Sequence, residues 1–200
     1  MGKFTKIPQN TFDQLQLETG VLLHTFDPAS DEAPKDEDII CATTGGITVS
    51  CVPTYSDMGA DVDNCPANTK ELMHLDAWAC SMAFNCLSTG VDAIKLALGA
   101  ADVDGNKVTP RRNLKQEDFK DIWWAGDRAD GGWVAVCLKD ALSTSGLSLQ
   151  TNKNGKGQMA VTLTGHVSIN AQDVVPMEFY TSGDVAAAVE EGQNAQEGDN

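Results

Sequence analysis

Apolar and polar positions along this chain alternate with period two over many short stretches, and a helical period is sustained in a single one. The clearest alternation runs from Leu75 to Cys86. There Trp78, Cys80, Met82, Phe84 and Cys86 occupy every second position, which puts all five on one face of a strand predicted over residues 73–87. Over residues 158–167, Met159, Val161 and Leu163 alternate with Ala160, Thr162 and Thr164, so one face is apolar and the other small and polar. Residues 145–151 precede it as a hairpin partner, joined through Asn152–Gly157, where Asn154-Gly155 is expected to supply positive φ. Residues 119–126 and 132–139 form another hairpin around Asp130-Gly131-Gly132. Nearer the N-terminus, Leu15 and Leu17 alternate, Gly20 interrupts, and Val21 to Leu23 resume. Residues 39–52 read as a strand kinked at Gly45-Gly46, and Val174–Thr181 as a last strand.

The helical stretch follows residue 87. Thr89 can cap its N-terminus, Asp92 approximates the far half of a capping box, Val91, Ile94 and Leu98 make one apolar stripe, and Gly99 suits its end. Asn113 with Gln116 suggests a second short helix. Between these elements lie polar loops. Residues 27–38 are charged and contain two prolines, and residues 53–72 are the longest irregular segment, rich in Pro, Asp, Asn and Gly. A loop that long usually binds something or is disordered. About eight strands and one main helix predict a mainly-β fold, with the helix as a patch on a sheet.

Two hundred residues, 42% hydrophobic with four Trp, six Phe and two Tyr, suffice for one sizeable core. The expectation is one domain over residues 1–181, with an N-terminal arm at 1–14, the long loop at 53–72, and an acidic, flexible tail at 182–200. No apolar run approaches the roughly 20 residues a membrane span needs, and the N-terminus lacks the basic-then-apolar pattern of a signal peptide. A soluble protein made in a cytoplasm is expected. The net charge of -15 is concentrated. Residues 27–38 carry six acids against Lys35, a net of -5, and residues 182–200 carry five acids and no base, another -5, leaving about -5 elsewhere. Such a chain should not grip nucleic acid, because that affinity comes from Lys and Arg neutralising phosphates.

The side chains offer little chemistry. Cys41, Cys51, Cys65, Cys80, Cys86 and Cys137 include no C-x-x-C pair, and no His completes a zinc spacing, so buried thiols are expected. Asp102-Val103-Asp104-Gly105-Asn106 opens like a calcium loop, but its Gly is at the fourth position instead of the sixth, and Asn113 stands where the closing Glu belongs. An ordinary turn is expected there, and a hairpin turn at Asn154-Gly155-Lys156-Gly157, which lacks a phosphate loop's spacing. His24, His74 and His166 are scattered. No catalytic residue, metal or cofactor is therefore expected, and the chain reads as a non-enzyme. Trp123 and Trp124 point to opposite faces of one strand, so at most one is core and the other is exposed or an interface anchor. Arg111, Arg112 and Lys115 make the strongest basic cluster. It is either a solvated face or the partner of Asp57, Asp61 and Asp63 on a neighbouring copy, since an acidic protein self-associates where opposite charges meet.

Five phrases occur in order along the chain: Ile7-Pro8-Gln9-Asn10-Thr11-Phe12, Asp63-Asn64-Cys65-Pro66, Val108-Thr109-Pro110-Arg111-Arg112, Ile122-Trp123-Trp124-Ala125-Gly126-Asp127 and Gln172-Asp173-Val174-Val175-Pro176. Together they resemble the major tail protein, or tail tube protein, of long-tailed, non-contractile bacteriophages, from about Ile7 to Tyr180. The acidic segment after Thr181 and the number of cysteines depart from that pattern. The resemblance implies a β-sandwich or barrel with one flanking α-helix, packed in hexameric rings that stack into the tube through which DNA leaves the virion. It implies assembly in the host bacterial cytoplasm and residence in the virion tail. The implied partners are further copies of the chain, a tape measure protein inside the tube, a tail terminator and a distal tail protein, with DNA passing unbound and no membrane. The small polar strand faces would line the bore, and the 53–72 loop and N-terminal arm would clasp a neighbour. Residues assigned to contacts between subunits are Tyr55, Asp57, Asp61, Asp63, Asn64, Arg111, Arg112 and Trp124. Competing readings are a carbohydrate-binding β-sandwich using Trp123-Trp124, a virion decoration or tail-terminator protein of related fold, and, third, an acid-dependent hydrolase.

Overall fold

The computed structural model describes residues 4, 5, 7, 8, 11–30 and 32–182. The tail expected over 182–200 therefore lies, apart from Ser182, outside the described residues, as does part of the N-terminal arm. Among the described residues there are ten strands: β1 (Gln16–Leu23), β2 (Thr43–Asp57), β3 (Met73–Cys86), β4 (Ala101–Asp104), β5 (Lys107–Pro110), β6 (Lys120–Arg128), β7 (Trp133–Ser143), β8 (Ser148–Gln150), β9 (Gln158–Thr164) and β10 (Met177–Thr181). One α-helix, α1 (Val91–Leu98), accompanies them. Contacts group the described residues into two compact units, one drawn from residues 1–39, 123–137 and 179–200, the other from residues 40–122 and 138–178.

In the first unit β1 pairs with β6, β6 with β7, and β7 with β10. The interruption expected at Gly20 is a bulge: the β1–β6 register shifts between Leu17 and Val21, with Glu18 at φ 57° and Gly20 at φ 65°. Leu23, Trp123, Ala125, Ala135 and Cys137 form the core of this unit. Phe26 packs on Trp123 and Trp133 with ring centroids 5.6 and 5.1 Å apart, and Trp123 meets Tyr180 at 5.4 Å. Each such pair contributes about 0.5–1.5 kcal/mol beyond its burial.

The second unit orders its strands β7-β9-β3-β2, with β8 also on β9, and carries the separate β4–β5 hairpin. Neither path closes on itself. The fold is mainly β with one α-helix, as expected, in open antiparallel sheets of the sandwich type instead of a closed barrel. The period-two reading of β3 and β9 holds. Met82 lies opposite Leu163, Phe84 opposite Val161 and Cys86 opposite Met159, and all six are buried. Burying each of the larger apolar side chains contributes about 1.5–3 kcal/mol.

Helix α1 departs from the expected details. Its N-cap is Gly90, with no side-chain cap, instead of Thr89, and its most buried residues are Ala93 and Ala97 instead of the Val91, Ile94 and Leu98 stripe. Small side chains let the helix lie close to its neighbours: Ser143 Oγ donates to the Ala97 carbonyl at 2.7 Å. Gly99 ends the helix at φ 71°, its N–H donating to the Lys95 and Leu96 carbonyls, as anticipated. The second helix reduces to a 3-10 turn at Gln116–Asp118. Asn154-Gly155 does not adopt positive φ; Asn152 Oδ1 accepts the Asn154 N–H at 3.1 Å and the Asn152 side chain shapes the turn. The last strand starts at Met177, immediately after Pro176, which has no N–H to give a ladder.

Candidate functional site

The largest correction to the expected loop concerns residues 53–72. Strand β2 continues through them to Asp57, pairing with β3 as far as Met73 across one register shift between Thr54 and Tyr55, so the irregular segment shortens to residues 58–69 before a 3-10 turn at Lys70–Leu72. The result is a long two-stranded ribbon. Only its inner half is covered by β9, whose partners on β3 are Ser81–Cys86. Beyond Ser81 the ribbon carries Val52, Tyr55, Met73 and Leu75 exposed, and Met58 and Val62 are exposed in the loop at its end.

β2 is also the last strand of its sheet. Which of its backbone groups face outward follows from alternation, because in an antiparallel ladder each residue's N–H and C=O point together toward one neighbour. The Gly165 N–H donates to the Cys80 carbonyl at 3.0 Å, on the β9 side, so Cys80 turns away from β2. The Leu87 N–H donates to the Ala42 carbonyl at 2.8 Å and gives the same phase from the other end of the strand. The partners of Phe84, Met82, Cys80 and Trp78 on β2 are Ile47, Val49, Cys51 and Pro53. Those four therefore direct their main-chain groups to the open side, where no strand pairs with them among the described residues. This phase explains how proline sits inside a strand: the N–H that Pro53 lacks would have faced outward, where the β2–β3 ladder does not need it.

The residues assigned to contacts between subunits separate into two groups. Tyr55 is 56% exposed beside the ribbon edge, and Asp61, Asp63, Asn64 and Arg112 are exposed. The others are occupied within the chain. Asp57 Oδ1 accepts the Gly59 N–H at 2.8 Å and Oδ2 the Asn68 N–H at 3.0 Å, so this carboxylate closes its own loop. Arg111 is not a solvated cation. Its side chain is 11% exposed and pairs with the fully buried Asp118 carboxylate, while Nε approaches Asp102 Oδ1 at 2.9 Å. That Nε contact lacks hydrogen-bond alignment and is an electrostatic one. Asp118 Oδ2 also accepts the Lys115 N–H at 2.8 Å. Lys115 Nζ lies 3.2 Å from Asp102 and 3.3 Å from Glu117, and its hydrogen bonds to Asp102 first and then Glu117 raise its pKa. Of the three residues read as a basic patch, Arg111 is nearly buried in an ion pair, Lys115 is exposed but ion-paired within the chain, and Arg112 is exposed. Asp102, from the supposed calcium phrase, anchors this network, and Gly105 turns the β4–β5 hairpin at φ 57°.

Trp124 is half-buried, and its indole N–H donates to the Thr19 carbonyl at 2.9 Å across the β1 bulge. A side chain at Gly20 would come within 2.7 Å of that indole nitrogen, and one at Gly126 within 2.9 Å of its ring. Trp124 is therefore built into the bulge, and Trp123 is the core member of the pair, at 9% exposure.

A polar cluster in the second unit was not foreseen. Lys139 Nζ lies 3.2 Å from Asp121 and 3.5 Å from Glu178, Asp121 Oδ1 accepts the Asp140 N–H at 3.0 Å, and His166 Nδ1 lies 3.1 Å from the Asp140 carbonyl. Asp140 has φ 45°, a conformation non-glycine residues adopt at a cost of about 1–2 kcal/mol, and these contacts hold it there. Among the described residues no group of three His, Cys, Asp or Glu side chains converges as metal ligands, and no helix is long and apolar enough to cross a membrane. No protein-family model matches the chain, and no curated protein sequence is significantly similar to it.

Proposed function

We propose that the chain is a self-assembling virion subunit that forms stacked hexameric rings, the tail tube through which phage DNA passes. The observation that carries this reading is the open edge of β2, where Ile47, Val49 and Cys51 offer N–H groups, and these three with Pro53 offer carbonyls, along one straight run. A long free edge of this kind is a template for strand addition, and soluble monomers normally blunt it. Here the blunting is slight: a bulge at Gly45-Gly46, a register shift between Thr54 and Tyr55, and one proline. The apolar side chains exposed on the ribbon and at Phe4, Ile7 and Phe12 in the arm add surface that a neighbouring copy would cover. The resemblance of the five ordered phrases supplies the architecture, in which head-to-tail contacts close into rings and ring faces stack. The acid-leaning charge suits a conduit that does not hold its cargo.

The test uses the phase of the edge. Val49→Pro removes an outward N–H and leaves the β2–β3 ladder intact, whereas Thr48→Pro removes a bond to β3. Wild-type protein at high concentration should form rings or tubes in negative-stain electron microscopy, about 100 Å across on the scale of several such domains. V49P should keep its circular dichroism spectrum and remain unassembled, and T48P should fail to fold. A V49P protein that assembles as the wild type does would show that the β2 edge is not the joint.

A further inference from the structure

We infer that Cys51 and Cys80 are a modification site: a vicinal cross-strand dithiol that a low-molecular-weight disulfide converts into an intrachain disulfide. The two residues are direct partners on β2 and β3, and their sulfurs lie 3.4 Å apart. The strand phase places them at a non-hydrogen-bonded position, where opposite Cα atoms are about 4.5 Å apart and side chains are closest. That separation falls at the short end of the roughly 4.4–6.8 Å range that disulfides span. Closing the sulfurs from 3.4 Å to a bond of about 2.05 Å needs only side-chain rotation, with no movement of strands already in register.

The surroundings assign an order to the two thiols. Cys51 is half-buried on the edge strand, and Cys80 is 1% exposed. Burial, and then the hydrogen bond and charge of Cys51, push the Cys80 thiol up to about 12, so it is a poor first nucleophile. Cys51 as thiolate attacks one sulfur of the oxidant RSSR, forming a Cys51–S–S–R mixed disulfide and releasing RS⁻. Cys80 then attacks the Cys51 sulfur, expelling the second RS⁻, and the Cys80 proton is passed to solvent. The balance is two protein thiols and RSSR in, one protein disulfide and two RSH out. The other cysteine pair on this hairpin is less favoured. Cys86 Sγ donates to the Ser88 carbonyl at 3.4 Å, and Cys41 and Cys86 are 6% and 2% exposed, so neither meets an oxidant from solvent. This inference concerns the single chain and does not rest on its assembly.

Glutathione disulfide is the probe, added to the full-length protein with all six thiols reduced. Free-thiol titration should fall from six to four, and proteolysis after alkylation should yield one linked peptide pair joining Cys51 to Cys80. Dithiothreitol should restore the count. Cys51→Ser should abolish the linked pair and leave Cys80 unmodified, and Cys41→Ser should leave the Cys51–Cys80 link unchanged. Persistence of six thiols, a stable glutathione adduct on Cys51 with Cys80 free, or a Cys41–Cys86 link formed first would each overturn the inference, and all three are read on the wild type without any variant having to fold.

Discussion

Arg111 decides whether the basic phrase Val108–Arg112 serves folding or assembly, and Asp118 is the residue that tests it. Asp118→Asn keeps the shape and one acceptor for the Lys115 N–H, and removes the charge facing a guanidinium whose side chain is 11% exposed. Removing one partner of a buried pair costs about 3–5 kcal/mol, because the other charge is left uncompensated. Asp102 remains 2.9 Å from Nε, but it is 55% exposed, so its attraction is partly screened and offsets only part of that loss. The expected cost of D118N is therefore about 3 kcal/mol, at the lower end of that range. Asp102→Asn, acting on an exposed carboxylate, should cost only about 0.5–1 kcal/mol. With a urea slope of about 2–3 kcal/mol/M for a chain of this size, D118N should lower the unfolding midpoint by about 1–1.5 M and D102N by less than about 0.5 M. Far-UV circular dichroism across a urea series reads both. If D118N unfolds within 1 kcal/mol of the wild type while assembly is lost, Arg111 works between subunits and the internal ion pair is incidental.

Further outcomes follow from other features. Gly20→Ala puts a Cβ 2.3 Å from the Ala125 carbonyl at φ 65° and should cost about 3 kcal/mol or more, whereas Gly46→Ala, at φ 84° with nothing within 4 Å, should cost about 1–2 kcal/mol, both by thermal unfolding. Oxidising Cys51 to Cys80 closes a loop of 29 residues and, on the chain-entropy account, should stabilise by about 3.5 kcal/mol. The melting temperature should rise by about 7–14 °C, and an unchanged value would argue against this magnitude. Assembly should be promoted by added salt, because a chain of net charge -15 repels its copies and salt screens surface charges within about 8 Å. Light scattering that fell steeply with salt would show that attractive ion pairs dominate the contacts.

The parts of the fold legible in the sequence were those in which a residue's environment follows from its own neighbours. The buried faces of β3 and β9, the Gly20 and Gly45-Gly46 irregularities and the Gly99 helix end are of this kind, since period and missing side chains act locally. What was misread depended on partners distant in sequence. Arg111 looked solvated because nothing in its phrase says that Asp118 is buried beside it, and Asp57 looked available because Asn68, eleven residues on, was assigned to the same loop with no turn specified. The strand ending placed at residue 52 failed for a more instructive reason. The expected irregular stretch begins at Pro53, but a proline excludes only the ladder its N–H would join, and in β2 that ladder is the outer one. One proline therefore marks both where β2 continues and which side of it lies open. The residue at which the sequence turns irregular shares the phase of Ile47, Val49 and Cys51, and so both the open edge of β2 and the closest approach of Cys51 to Cys80 are consequences of a single alternation.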